Sequence, residues 1–328
     1  MEEQISMLHG SGGSATSKLI ETVFAEAFGD TYVNDMDDAA VLRGNERIAV
    51  TTDSFVVTPV FYPGGDIGRL CVCGSVNDLL SRGAVPKYLT VAFVIEEGAR
   101  ISELKKAASS IALTVREAGV KIACGDTKVI EGSGGFMINT TGIGFVEKDT
   151  DISARGARPK DHIIVSGSLG DHHACILSQR LEVSNSITSD NAPLTEMAAK
   201  LKKLKVHSIR DITRGGLATV LYELAASSGK RFIINEADLP VSEEVRGFCG
   251  IMGLDPLYMG NEGKLVCIVD EADSEEALCA IRESKYGEAA RDIGVVEEAD
   301  EGELFVITSI GGRRRLYPLA DEGLPRIC

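Results

Sequence analysis

Apolar residues at 19, 20, 23, 24, 27 and 28 recur at helical spacing, so a helix is expected over 16–28, after a Gly/Ser-rich start. From Arg47 onward, short runs rich in Val, Ile and Phe alternate with longer helical patterns. They predict strands over 48–52, 89–95, 120–123 and 136–146, and helices over 68–81 and 102–118. The polar stretch 149–160, with Gly156 and Pro159, interrupts this series. Beyond it come expected strands at 162–166, 231–235, 265–269 and 304–308, and helices at 171–181, 194–204, 216–227 and 274–285. The crossovers are too few for a wholly parallel sheet, so the expected class is α+β: an N-terminal mixed sheet and a second α+β domain. The expected divisions are a Gly-rich loop and helix at 1–35, a first domain at 36–154, a second at 155–316, and an aperiodic flexible tail at 317–328 holding Pro318, Gly323 and Pro325.

Length agrees, since 328 residues exceed a typical single domain. Forty-nine acidic residues against 34 basic ones give a net charge of −15 with no basic block, which disfavours nucleic acid as a partner. No window holds the roughly 18 to 20 uncharged apolar residues of a membrane span, and a soluble, cytoplasmic protein is expected. The eight cysteines are scattered, mostly within apolar runs; buried reduced thiols account for seven. The eighth, Cys328, stands behind the Pro/Gly tail.

The start, His9-Gly-Ser-Gly-Gly-Ser-Ala15, matches G-x-G-x-x-A, but no strand precedes it, and no segment has P-loop spacing. It reads either as a mobile loop or as a phosphate-covering flap. Carboxylates recur at the ends of apolar runs: Asp37-Asp38 before one, Asp53 after 48–52, Asp126 after the strand near Cys124, and Asn77-Asp78 in an apolar helix. Gathered, they would repel one another unless hard cations lay among them, and oxygen-only ligands suit Mg²⁺ bridging to phosphates. Asp211-Ile-Thr-Arg-Gly-Gly opens a helix whose N–H groups, with Arg214, could face an anion. Glu262, in Asn261-Glu-Gly-Lys264 at a strand entrance, reads as a base or as a surface acid, and Lys128 is equally ambiguous. His172-His173 lacks the partners of a zinc site and is expected on a helix surface.

Taken in order, Asp37-Asp38-Ala-Ala, Thr51-Thr-Asp53-Ser, Pro63-Gly-Gly-Asp66-Ile-Gly, Val76-Asn77-Asp78-Leu, Gly125-Asp126-Thr-Lys128 and Asp211-Ile-Thr-Arg-Gly-Gly resemble the superfamily of aminoimidazole ribonucleotide synthetase, selenophosphate synthetase and thiamine-monophosphate kinase. The glycine-rich start, Asp255-Pro-Leu, Asn261-Glu-Gly-Lys and Pro325-Arg-Ile-Cys328 resemble, within it, the carbamoyl dehydratases of hydrogenase maturation. The match spans nearly the whole chain; one departure is Met259-Gly260 before Asn261, where a small residue such as alanine was expected beside the asparagine.

The resemblance implies ATP-dependent dehydration of a carboxamide on the Cys328 sulfur to a thiocyanate, the cyanide becoming a ligand of the [NiFe]-hydrogenase iron. It implies the carbamoyltransferase HypF as donor, a HypC–HypD complex as acceptor, and a homodimer joined through its N-terminal sheets. ATP and Mg²⁺ are the implied cofactors, held by Asp37, Asp38, Asp53, Asn77, Asp78, Asp126 and Asp211, with Asp38, Asp53, Asp78 and Asp126 on the metal. Glu262 and Lys128 are implied beside Cys328. Such chemistry asks for a carboxylate to take N–H protons and a cation to balance developing charge. Alternatives are a related synthetase or kinase acting on a free small molecule, or a nucleotide-gated scaffold. Selenophosphate synthetase is disfavoured, since the first cysteine, Cys71, is far from the glycine loop.

Overall fold

The computed structural model describes residues 3–10, 14–32 and 42–318; Asp37, Asp38 and Cys328 lie outside the described residues. The expected first helix is a helical run of α1 (Ser14–Leu19), a π-type turn over Ile20–Ala25 and α2 (Glu26–Phe28), burying Val23, Phe24 and Phe28. There follow β1 (Ile48–Phe55), β2 (Phe61–Tyr62), β3 (Gly65–Asp66), α3 (Ile67–Leu80), β4 (Val85–Glu96), α4 (Ile101–Ala118), β5 (Lys121–Ile130) and β6 (Phe136–Phe145). The four long strands form a mixed sheet in the order β1-β6-β4-β5, with only β4 and β5 parallel.

Helix α3 begins where the Asp66 carboxylate accepts the N–H groups of Gly68 and Arg69, at 2.8 and 3.0 Å. It is buried nearly all round, which suits a helix wedged between sheet and α4. Alternating positions of β4 and β6 face these helices, among them Leu89, Val91, Phe93 and Ile138, all at most 2% exposed. The other face of this sheet is not covered by the described residues: Ile48 and Val50 are 50% and 66% exposed.

The second half contains β7 (His162–Val165), α5 (Asp171–Arg180), α6 (Thr195–Leu201), β8 (Val206–Asp211), α7 (Gly216–Ser228), β9 (Arg231–Asn235), α8 (Glu243–Met252), β10 (Leu265–Val269), α9 (Ser274–Arg282), β11 (Arg291–Glu297), β12 (Glu303–Ile307) and β13 (Arg313–Arg315). They build a seven-stranded sheet, β13-β12-β9-β11-β7-β10-β8. Leu265, Cys267 and Val269 of β10 join the core shared with the first half, while Val266 and Ile268 join a second core under α7. Covered on both faces, this strand is a continuous apolar run.

Four elements of this half lie outside the expected series: β8, α8, β11 and β13. Polar residues disguise β8, where His207 and Ser208 are buried because Asp161 and the Ser153 carbonyl take their hydrogen bonds. Strand β11 is interrupted by Gly294, where a Cβ would stand 2.0 Å from the Ile233 carbonyl. Two further expectations are corrected. His172 and His173 are buried, not on a surface, because α5 runs under the 189–191 segment and Gly260. Of the seven thiols expected to be buried, Cys124 is half-buried and Cys279 exposed, since each falls at the solvent side of its element.

Candidate functional site

Strand β1 is three residues longer than its apolar run, which places Asp53 inside it, paired with Thr140 of β6. Thr140 bonds Ser75 and the Cys71 carbonyl of α3, so Asp53 points to the α3 side of the sheet. There it meets Asp78, one helical step past buried Asn77; Asp78 Oδ2 accepts the Thr51 hydroxyl at 2.5 Å. Burial first, then the charge and hydrogen bonding of Asp78, raise the Asp53 carboxyl to about 6, against the pull of Arg214. Asp211 closes the group from the end of β8, its N–H on Ser81 Oγ at the end of α3. Burial and then Asp78 lift it to about 7.

Glu262 completes this wall from the segment entering β10 and is only 7% exposed. Its carboxyl is raised well above the ordinary carboxylate range by burial, then by the charges of Asp190 and Asp211, with Arg214 opposing. Asn77 ties the two halves together here: its amide donates to the Ala192 carbonyl at 3.0 Å and its oxygen accepts the Leu194 N–H at 3.0 Å. Of the two readings of Glu262, the surface acid is overturned.

Asp53, Asn77, Asp78, Asp211 and Glu262 are therefore brought together, whereas Asp126 and Lys128 are not. Strand β5 continues through both residues instead of ending before Asp126. In register, Asp126 lines up with Ala92, Asn139 and Ser54, on the face of the sheet opposite Asp53; both side chains are exposed. Gly10 packs on Val129 of the same strand, so the chain enters its glycine-rich start beside Lys128.

Asp53, Asp78, Asp211 and Glu262, all half-buried or buried, fit a divalent cation, because oxygen donors of like charge are relieved by it. Gly215 and Gly216 turn the chain at φ 80° and 65° into α7, where a Cβ on Gly216 would strike the Leu257 carbonyl at 2.5 Å. The first turn of α7, whose Gly216 N–H donates to the Thr213 carbonyl at 3.0 Å, thus opens close in sequence to Arg214 and Asp211. Elsewhere, Asp161, His207 and Asp270 place ligand-type atoms within 4.8 Å of one another, at the far end of β8, where a 2.8 Å Asp161–His207 hydrogen bond accounts for the contact. The pattern reading missed Asp190: it lies in the polar loop between α5 and α6, where periodicity carries no signal. No helix of the described residues is long and apolar enough to cross a membrane.

The paired α+β architecture, with carboxylates where its halves meet, is that of the AIR synthase related proteins. Residues 36–146 match the family model of the AIR synthase related protein N-terminal domain, and 158–307 that of its C-terminal domain. The chain is 44% identical to the carbamoyl dehydratase HypE of Cupriavidus necator, over 99% of this chain and 95% of that one. A crystal structure of hydrogenase maturation protein HypE in complex with ATP superposes with a TM-score of 0.94, at 44% identity over 98% and 99% of the two chains. The HypE chain of a HypE–HypF complex does so with a TM-score of 0.80, at 43% identity over 94% and 100%. The chain belongs to the carbamoyl dehydratase HypE family.

Proposed function

We propose that this chain is an ATP-dependent carbamoyl dehydratase that converts a carboxamide on the Cys328 sulfur to a thiocyanate. The observation that carries the reading is the burial of Glu262 among carboxylates at the meeting of the two halves, with Asn77 of α3 fixed across the same junction. Family membership supports it, as does the ATP held by a HypE of the same fold. Bound ATP supplies the phosphoryl group that turns the carboxamide oxygen into a leaving group, and Mg²⁺ supplies charge for that transfer. Asp53, Asp78 and Asp211 hold the metal and phosphates, with Asp37 and Asp38 joining from outside the described residues; the N–H groups of α7 and Arg214 face the phosphates.

Glu262 takes protons from the carboxamide nitrogen. Two N–H protons leave in all, their bonding pairs become the second and third bonds of C≡N, and the carbon–oxygen bond breaks with its pair departing on the oxygen as phosphate. The 12 residues after Leu316 span about 40 Å when extended, so Cys328 reaches both this site and a partner.

The open face of the first sheet supports a homodimer: it carries Val50, Ala92, Val94 and Ile143, apolar side chains that a second copy would cover. Asp126 and Lys128 lie on that face, away from Asp53 and Glu262, so the parts proposed for them, Lys128 balancing charge near Cys328 and Asp126 assisting the metal, would be played across the interface with the second copy. HypF delivers the carbamoyl group, as the HypE–HypF complex of a relative suggests, and a HypC–HypD complex takes the cyanide, in the cytoplasm.

Intact-mass spectrometry with HypF, its carbamoyl donor and ATP tests the reading: the chain gains a carbamoyl adduct, which then loses the mass of one water. An adduct that persists with ATP and Mg²⁺ present defeats it. For the metal, Asp78→Asn is expected to weaken Mg²⁺-dependent ATP binding at least tenfold without lowering the melting temperature, because a repelling charge leaves the cluster. Calorimetric affinity equal to that of the unsubstituted chain takes Asp78 out of the site.

A further inference from the structure

The Asn261-Glu-Gly-Lys264 segment has no regular structure of its own, yet its glutamate must be held to a fraction of an ångström for proton transfer. Its backbone is fixed on one side by Asn261, whose N–H donates to the Ile212 carbonyl at 3.1 Å and whose side-chain oxygen accepts the Gly170 N–H at 2.8 Å. On the other side stands a single carboxylate. Asp190 Oδ1 accepts the Glu262 N–H at 3.0 Å, Oδ2 accepts the Gly263 N–H at 3.3 Å, and Lys264 Nζ lies 3.2 Å from Oδ2. One side chain thus engages three successive residues. The approach is too close for any side chain at 263, where a Cβ would lie 2.0 Å from the Asp190 carbonyl oxygen.

Asp190 is itself clamped. Ser189 donates its N–H to the Pro63 carbonyl at 2.8 Å, and its hydroxyl meets His172 Nδ1 at 2.8 Å and accepts the Asn191 N–H at 3.2 Å. Arg69 Nε donates to the Asn191 carbonyl at 2.7 Å, and the Asn191 amide donates to Tyr62 Oη at 3.1 Å. The buried His172 therefore serves the loop that carries Asp190, and Arg69 of α3 and Tyr62 of β2 hold that loop against the first half.

The chemistry of the choice is informative. A neutral acceptor would hold two backbone N–H groups at less cost than a carboxylate with 3% of its side chain exposed, placed beside another buried acid. What the carboxylate adds is a second equivalent oxygen, so that both N–H groups and the Lys264 ammonium are taken by one side chain. Lys264 offsets the burial of Asp190 itself.

We propose that Asp190 is a positioning residue for Glu262, fixing the backbone of the base through paired N–H hydrogen bonds braced by Lys264. This rests on the dehydratase reading and adds to it the residue through which the second half aims its base.

The test is a double-mutant cycle on the full chain, carbamoylated by HypF, with single-turnover conversion to thiocyanate read by mass spectrometry and ATP affinity read by calorimetry. Asp190→Asn removes the charge at constant shape and turns an N–H donor toward Gly263 or Lys264. It is expected to slow conversion at least tenfold with ATP affinity within twofold. In the Glu262→Gln background the same change is expected to alter the rate less than twofold, because a residue acting through Glu262 has nothing left to act on. A residue that merely supports the fold would slow both backgrounds by the same factor.

Equal slowing in both backgrounds, or an Asp190→Asn rate equal to that of the unsubstituted chain, overturns the proposal while leaving the dehydratase reading intact. Absence of thiocyanate from the unsubstituted chain overturns the underlying reading instead, whereas no effect of Glu262→Gln moves the base to another residue and overturns the proposal with it. Should Asp190→Asn fail to bind ATP, Asp190→Ser is taken through the same cycle; failure of both marks Asp190 as a folding residue and ends the proposal.

Discussion

Cys328→Ala is expected to abolish both the carbamoyl and the cyano adducts while leaving ATP affinity and melting temperature within error of the unsubstituted chain. Of the carboxylates proposed to meet Mg²⁺ and phosphates, Asp53, Asp78 and Asp211 lie on β1, α3 and β8, elements built by residues 48–55, 67–80 and 206–211. The effect is all or none because the sulfur is the atom that bears the group: thiolate nucleophilicity toward a carbamoyl donor has no counterpart in a methyl side chain. The other thiols are poor substitutes. Cys71, Cys73, Cys175, Cys249 and Cys267 are buried, and burial pushes their thiols up, Cys175 and Cys249 to about 11 and Cys267 to about 12, away from the reactive thiolate. Cys279 is exposed but lies on α9, in the second half, and Cys124 is half-buried on β5. A Cys328→Ala chain that still gains the carbamoyl mass, with the adduct mapped by proteolysis to Cys279 or Cys124, would move the carrier elsewhere.

What the sequence reveals and what it hides follow one physical division. Elements with a single repeating period were legible: β9 and β10 fall at 231–235 and 265–269 as the apolar runs indicate, and α3 and α4 lie within a residue of their predicted starts. Strands whose buried positions are polar were not. In β1 and β5 the apolar runs end at Thr52 and Ala123, but the ladders continue, since backbone pairing and not side-chain burial holds the last turns of the sheet.

That continuation decides the site. Asp53 and Asp126 look alike as acids ending strands, yet alternation along a pleated strand sends them to opposite faces, a distinction that needs the register of β4 and β6. Asp190 illustrates the other limit. Its loop is polar and aperiodic, and its importance comes from a segment about 70 residues further on that only the fold brings beside it.

Glu262→Gln is expected to lower the rate of dehydration by roughly 10² to 10⁴, the usual contribution of a positioned acid or base. Glutamine keeps the size of the side chain and leaves the backbone N–H of position 262 on Asp190, so the segment stays in place and the basic oxygen alone is lost. The thiocarboxamide therefore accumulates on Cys328 while carbamoylation by HypF continues. The pH dependence gives a second reading of the same group. Burial and the neighbouring carboxylates of Asp190 and Asp211 raise the Glu262 carboxyl, so at low pH it carries a proton and accepts none. Dehydration must rise with pH until that proton is lost, at a pH above the ordinary carboxylate range, and then level off. In Glu262→Gln that rising limb disappears, because the amide does not titrate. Single-turnover formation of thiocyanate, measured across pH in both chains, decides the point: a Glu262→Gln chain that reaches thiocyanate at the unsubstituted rate, or retains the same limb, assigns the base to another residue.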